Sequence, residues 1–144
     1  MKPTPELVLN QAFAKIAMEM GPALPAGYGQ GSATTMAVLL LMTAQEFDRA
    51  ADIRARENRV MRALFSDAAK GVVGTLGQKL NAVIGVRDED LTVATLDRVN
   101  GELKRLLIEL QTHAETAGDR GLELRILRFL SEAATARQVF LPAM

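Results

Sequence analysis

The sequence predicts an all-α fold on three observations. Aromatic residues are 4% of the chain, with no Trp and one Tyr, so Ala, Leu and seven Met must fill the core. Small and unbranched side chains suit closely packed helices, whereas sheets favour β-branched and aromatic residues. Apolar residues also recur with a helical period, and helix-starting and helix-stopping residues punctuate the segments. The expected architecture is a helical bundle of four main helices plus one short helix. At 144 residues the chain reads as one domain, 1–144, able to bury a core without staples.

The first helix is expected from about Pro5 to Met20. Thr4 is a good N-cap, Pro5 suits the first helical position, and Leu9, Phe13, Ile16 and Met20 share a stripe. Gly21-Pro22 should stop it, and a Gly/Pro-rich loop should run from Gly21 to Gly31. The second helix, about Ser32 to Lys70, contains no Gly or Pro and is the longest. Its first half, Met36 to Met42, is apolar nearly all round, which marks a helix contacted on several sides. At ~1.5 Å per residue it would be roughly 55–60 Å long, more than a compact domain needs. A kink, or an end that packs on another subunit, would resolve this.

Gly71, Gly74 and Gly77 then break the pattern, and Thr75 with Gln78 can form a capping box for a short helix to Ile84. Val72-Val73 and Val83 to Val86 are weak β-like patches. Acidic residues in Gly85 to Asp90 suit the start of the next helix, about Leu91 to Ala117. That helix carries a seam of Leu96, Val99, Leu103, Leu106, Leu110, His113 and Ala117. Gly118 should end it and Asp119 should cap the last helix, about Arg120 to Phe140, with Pro142 as its stop. The short link makes these two helices antiparallel neighbours.

Composition excludes several function classes. Without cysteine there is no disulfide, thiolate zinc site, iron–sulfur cluster or cysteine nucleophile. The 17 basic and 17 acidic residues cancel, with 8 basic and 7 acidic through Val72 and 9 and 10 thereafter. A nucleic-acid or anionic-membrane binder normally shows a basic excess somewhere, so neither partner is expected. The N-terminus lacks a signal-peptide pattern, and Met36 to Met42 is too short to span a bilayer, so a cytoplasmic location is expected.

Four polar residues are candidate ligand-binding groups. Glu46 and Glu57 lie on one stripe of the long helix, within about 20° of each other but some 16 Å apart along its axis. They cannot share one ion; each would meet a partner from another helix, and a salt bridge to an arginine is the plainer reading. His113 follows Glu109 by one turn, a spacing that can approach one ion. The chain has no Glu-x-x-His motif, however, and a histidine near a helix C-terminus is more often a hydrogen-bonded one.

Gly29, Gly31 and Ser32 ahead of the long helix could present backbone N–H groups to an anion. No strand precedes them and no Lys follows Gly31, so a plain linker competes with that reading. Arg49, Arg54, Arg56, Arg59 and Arg62 are interleaved with acids, Asp52/Arg56 being the clearest i,i+4 pair. A phosphate-reading helix would need an excess of cations, whereas arginine also suits protein interfaces.

No motif selects a catalytic chemistry, a cofactor or a substrate, and whether the chain is an enzyme is left open. Two readings remain. One is an interaction or structural module that self-associates, as a homodimer or other homo-oligomer, through the long helix. The other is a bundle that binds a small ligand or a metal, and could catalyse, through Glu46, Glu57, Glu109 and His113. A protein partner other than a second copy is compatible with the first.

Overall fold

A computed structural model describes residues 2–140, all-α as expected, with no strand among them. Two compact units can be distinguished. One comprises the chain through Ala50 together with Val139 and Phe140; the other is Ala51–Gln138.

In the first unit, α1 (Pro5–Lys15) starts as the sequence implies. The Thr4 hydroxyl accepts from the Leu7 N–H at 3.3 Å, and Pro5 needs no donor there. Gly21-Pro22 does not stop the helix. One π turn, Ile16–Met20, carries it on, with the Gly21 N–H donating to the Ile16 carbonyl, into a last turn, α2 (Gly21–Ala23). The stop falls at Leu24, which is extended because Pro25 follows it. Gly21 is buried; a Cβ there would lie 3.1 Å from the Ile16 carbonyl oxygen and 3.9 Å from the Ala33 Cβ. The lack of a side chain thus leaves room for the Ile16 carbonyl, while Ala33 stands at ordinary contact distance.

That helix, α3 (Tyr28–Ala68), starts four residues before Ser32. The Gly31 N–H donates to the Gly27 carbonyl at 3.1 Å, so the expected Gly-rich loop is largely helical. Extending an existing helix needs no new nucleus, which offsets the ~1 kcal/mol that each glycine costs. The break comes instead at Gly27, at φ 143°, a conformation that L-residues rarely adopt. α3 contributes to both units: its residues through Ala50 belong to the first and the remainder to the second.

In the second unit, α4 (Gly74–Ile84) begins without a side-chain cap, so the Thr75/Gln78 capping box does not form. Val73 occupies the cap position, and Gly77 is needed because the Val72 carbonyl crosses over it. A Cβ on Gly77 would stand 2.3 Å from that oxygen.

The start of α5 (Val93–Ala117) is built by Asp90. Its carboxylate accepts from the Thr92 N–H at 2.8 Å and from the Thr95 hydroxyl at 2.7 Å, while Thr92 caps the helix. Gly118 closes α5 at φ 67°, with the Asp119 N–H bonded to the Ala114 carbonyl and the Gly118 N–H to that of Glu115. Asp119 then caps α6 (Arg120–Ala136), accepting from the Leu122 N–H at 2.9 Å. α6 ends four residues before Phe140, and Pro142, its expected stop, lies outside the described residues.

Met61 and Phe65 of α3, Leu80 of α4, Leu103 and Leu110 of α5, and Ile126 and Phe129 of α6 form the core of this unit. The seam of α5 departs from expectation at its end. It runs on through Leu107 and Ala114, leaving His113 and Ala117 exposed. At 3.6 residues per turn a seven-residue repeat drifts by about 20° per repeat, and this has moved the last two positions out of the core.

Candidate functional site

The second unit contains a buried polar cluster. Glu57 and Asn58 of α3 face Asn100 of α5, all three buried. Asn100 Nδ2 donates to Glu57 Oε2 at 2.9 Å and to Asn58 Oδ1 at 3.0 Å. Arg137, just past α6, grips both oxygens of Glu57, Nε to Oε1 at 2.7 Å and Nη2 to Oε2 at 3.0 Å. Lys104 adds an ion pair at 3.2 Å. Burial opposes ionisation of Glu57, but Arg137, Asn100 and Lys104 together outweigh it and hold its pKa down at about 2.

A second pair extends the cluster. Arg62 of α3 meets Asp88 of the α4–α5 connection fork to fork, Nη2 to Oδ1 at 2.8 Å and Nη1 to Oδ2 at 3.1 Å. Asn58 Nδ2 reaches the same carboxylate at 3.3 Å. Arg62 holds the Asp88 carboxyl below its ordinary range, against its burial and with help from Asn58. Asp88 therefore pins the loop between α4 and α5 to the long helix. On the rim, Arg54 bonds Asp97 at 2.7 Å.

The residues singled out in the sequence do not come together. Glu57 is buried, whereas Glu46 lies exposed on α3, in the first unit, and is not the core carboxylate its stripe suggested. Glu109 is exposed and pairs with Lys79 at 2.7 Å; His113, also exposed, follows it one turn later. Among the described residues no three His, Asp or Glu side chains gather to hold a metal ion. Asp52 and Arg56 form no ion pair there either. Gly29, Gly31 and Ser32 lie in the first turns of α3, and the Thr34 and Thr35 hydroxyls donate to the Gln30 and Gly31 carbonyls at 3.1 and 3.0 Å. The Thr34 and Thr35 hydroxyl protons are thus already used within the helix.

Asn58, Asn100, Asp88 and Arg137 were not singled out, and Arg62 stood out only as one of the arginines along the long helix. Asn58 and Asn100 had a readable signal, since each sits at helical spacing from core residues: Asn58 before Met61 and Phe65, Asn100 between Leu96 and Leu103. Asp88 and Arg137 had none, because both lie outside helices.

Chemically, Glu57 is a poor proton carrier at neutral pH. Its donors hold it ionised, and a group with so low a pKa is a weak base. The cluster ties α3 to α5, to Arg137 and to the α4–α5 connection, and two grooves of this unit border it. One, of about 380 Å³, is lined by Ile53, Glu57, Val60, Phe129 and Thr135. The other, of about 580 Å³, is lined by Arg59, Arg62, Arg87, Ile84 and Leu91.

The first unit has a different character. No charged residue stands between Glu19 and Glu46. Its buried residues are Gly21, Ala37, Leu41, Ala44 and Ala50, all small apart from Leu41. Met18, Met20, Tyr28, Met36, Leu39 and Phe47 are each more than half exposed, Tyr28 at 94%. On α3 the buried Ala37, Leu41 and Ala44 occupy one face; Tyr28, Leu39 and Glu46 lie opposite it, and Met36 and Phe47 lie on the flank between. Gln45 completes this unit by exchanging two hydrogen bonds with the Phe140 backbone, at 2.6 and 3.0 Å.

No family model, curated protein or solved structure matches this chain. Among the described residues no helix is long and apolar enough to cross a membrane.

Proposed function

We propose that this chain is a non-catalytic, self-associating helical module whose N-terminal unit pairs with that of a second copy through the outer face of α3. One observation carries the reading: the outer side of α3 from Tyr28 to Met42 carries no charge, with Tyr28, Met36, Leu39 and Met42 exposed. Contiguous exposed apolar surface is uncommon on proteins that remain alone, and marks interaction sites.

Charge favours a second copy as the occupant. Two-fold pairing brings the same patch against itself, so a charge near the axis would meet its own sign. The stretch between Glu19 and Glu46 carries none, so no like-charge contact opposes its pairing with itself. The polar cluster around Glu57 then serves the fold of the other unit rather than a substrate.

Light scattering coupled to size exclusion tests this. The unaltered chain is expected to run as a dimer that dissociates on dilution, and Leu39→Glu to run as a monomer with unchanged helical content. A chain that stays monomeric at its highest soluble concentration overturns the proposal, as does a dimer indifferent to both Met36→Glu and Leu39→Glu.

A further inference from the structure

We infer that the groove between the C-terminal half of α3 and the α4–α5 connection binds a small amphiphilic anion, a carboxylate or phosphate monoester on a short apolar chain. The inference does not depend on self-association, since every residue involved lies in the second unit.

Two of the groove's three arginines have nothing else to hold. Of its three arginines, Arg62 is committed to Asp88. Arg59 and Arg87 are exposed and make no hydrogen bond or ion pair with any described residue. Counting Asp88 against the three leaves a surplus of positive charge, in a chain whose formal net charge is zero. Guanidinium groups present planar pairs of N–H donors that match carboxylate and phosphate oxygens two at a time. The Ser66 hydroxyl lines the same groove as a further polar contact.

The remaining walls are apolar. Ala55 and Ala63 come from α3, Ile84 from the end of α4, and Val86 and Leu91 from the connection. Val86 and Leu91 are both more than half exposed, so the apolar wall reaches the surface beside the uncommitted arginines. A bare anion would leave that wall wet and an uncharged apolar molecule would leave the guanidinium groups unanswered. An anionic head on a short chain satisfies both. The volume of about 580 Å³ falls in the range of small-ligand sites.

Asp88 gives the site its rigidity. The loop bearing Arg87, Val86 and Leu91 is fixed through the buried Arg62–Asp88 fork, so the groove exists before a ligand arrives. Preformed geometry lowers the ordering cost of binding.

The test is calorimetric titration with octyl phosphate below its micelle concentration, alongside octanol and inorganic phosphate. Octyl phosphate is expected to bind at one site per chain, with the other two at least roughly tenfold weaker, as each satisfies one half of the groove. Arg59→Gln and Arg87→Gln should each weaken octyl phosphate by about tenfold at unchanged melting temperature, since both side chains are exposed. Arg105→Gln, an exposed α5 residue outside the groove, should change nothing. Octanol or inorganic phosphate binding as tightly as octyl phosphate overturns the inference. Undiminished binding by both groove variants overturns it too, placing the amphiphile on another apolar surface, and so does equal weakening by Arg105→Gln.

Discussion

Arg137 reaches back from the end of the last helix to clasp the buried carboxylate of Glu57, one nitrogen on each oxygen, at 2.7 and 3.0 Å. The two residues are 80 positions apart, and their pairing ties the end of this unit to the middle of α3. Glu57 is thereby held ionised between two cations and an amide, and consequences of this are measurable in stability.

Glu57→Ala should destabilise the second unit by about 2–4 kcal/mol, because it leaves Arg137, Lys104 and Asn100 without their acceptor. Glu46→Ala, at an exposed position on the same helix, should cost less than about 1 kcal/mol. Urea denaturation of both variants compares them directly. Equal losses would mean that burial does not separate the two glutamates.

Acid should weaken the fold through Glu57 in a defined window. Its folded pKa, about 2, lies below its unfolded value, so the native state holds fewer protons. The stabilisation is therefore complete above the ordinary carboxylate range, near pH 5, and is lost as pH falls through about 2. Asp88, also held below its ordinary range, adds in the same direction. Melting temperatures from pH 6 to pH 2 should fall less steeply for Glu57→Gln than for the unaltered chain.

Asp88→Ala should release the α4–α5 connection. It strands Arg62, a buried cation whose Nε already lacks a partner among the described residues, at a cost of about 3 kcal/mol or more. Hydrogen exchange should rise at residues 85–92 and at the start of α5, while amides around Phe65 and Ile126 stay protected up to global unfolding. Asp88→Asn keeps one oxygen acceptor and should lie between the two.

One substitution at two glycines should act with opposite signs. Gly101 lies inside α5 with open space where a Cβ would stand, so Gly101→Ala should stabilise by about 0.5–1 kcal/mol. Gly77→Ala would press a Cβ to 2.3 Å from the Val72 carbonyl and should cost about 1–3 kcal/mol despite alanine's helix propensity. Paired thermal melts read both.

The helices were legible because their ends are local. Thr4, Gly118 and Asp119 act within a few residues of themselves, and each does what its position implied. Boundaries failed where context reached further. Ser32 is a good cap in isolation, but α3 already runs through it from Tyr28, and Pro25 rather than Pro22 sets the preceding stop. Of the polar core, Glu57 was visible as a charge on an apolar stripe. Its partners were not, since nothing local to Arg137 or Asp88 says which helix it will meet. Glu46 shared the stripe and still lies exposed, because α3 buries different faces along its length. Read alone, apolar residues on both sides of Met36 to Met42 mark a helix with neighbours all round. In the structure only the face of Ala37, Leu41 and Ala44 is buried.

The wide turn at Ile16–Met20 makes this stretch tolerant of a changed residue count. A π turn holds one residue more than the α-helical path it replaces, so deleting any one of these five would let four-residue bonding close again. The shorter path covers nearly the same angle about the helix axis, so the residues after the deletion would keep nearly their places, where the same deletion in a regular α-helix would swing them by about 100°. Gly21 would still stand beside Ala33. A one-residue deletion here is absorbed by the turn, so related chains should accept a difference of one residue in length at this point.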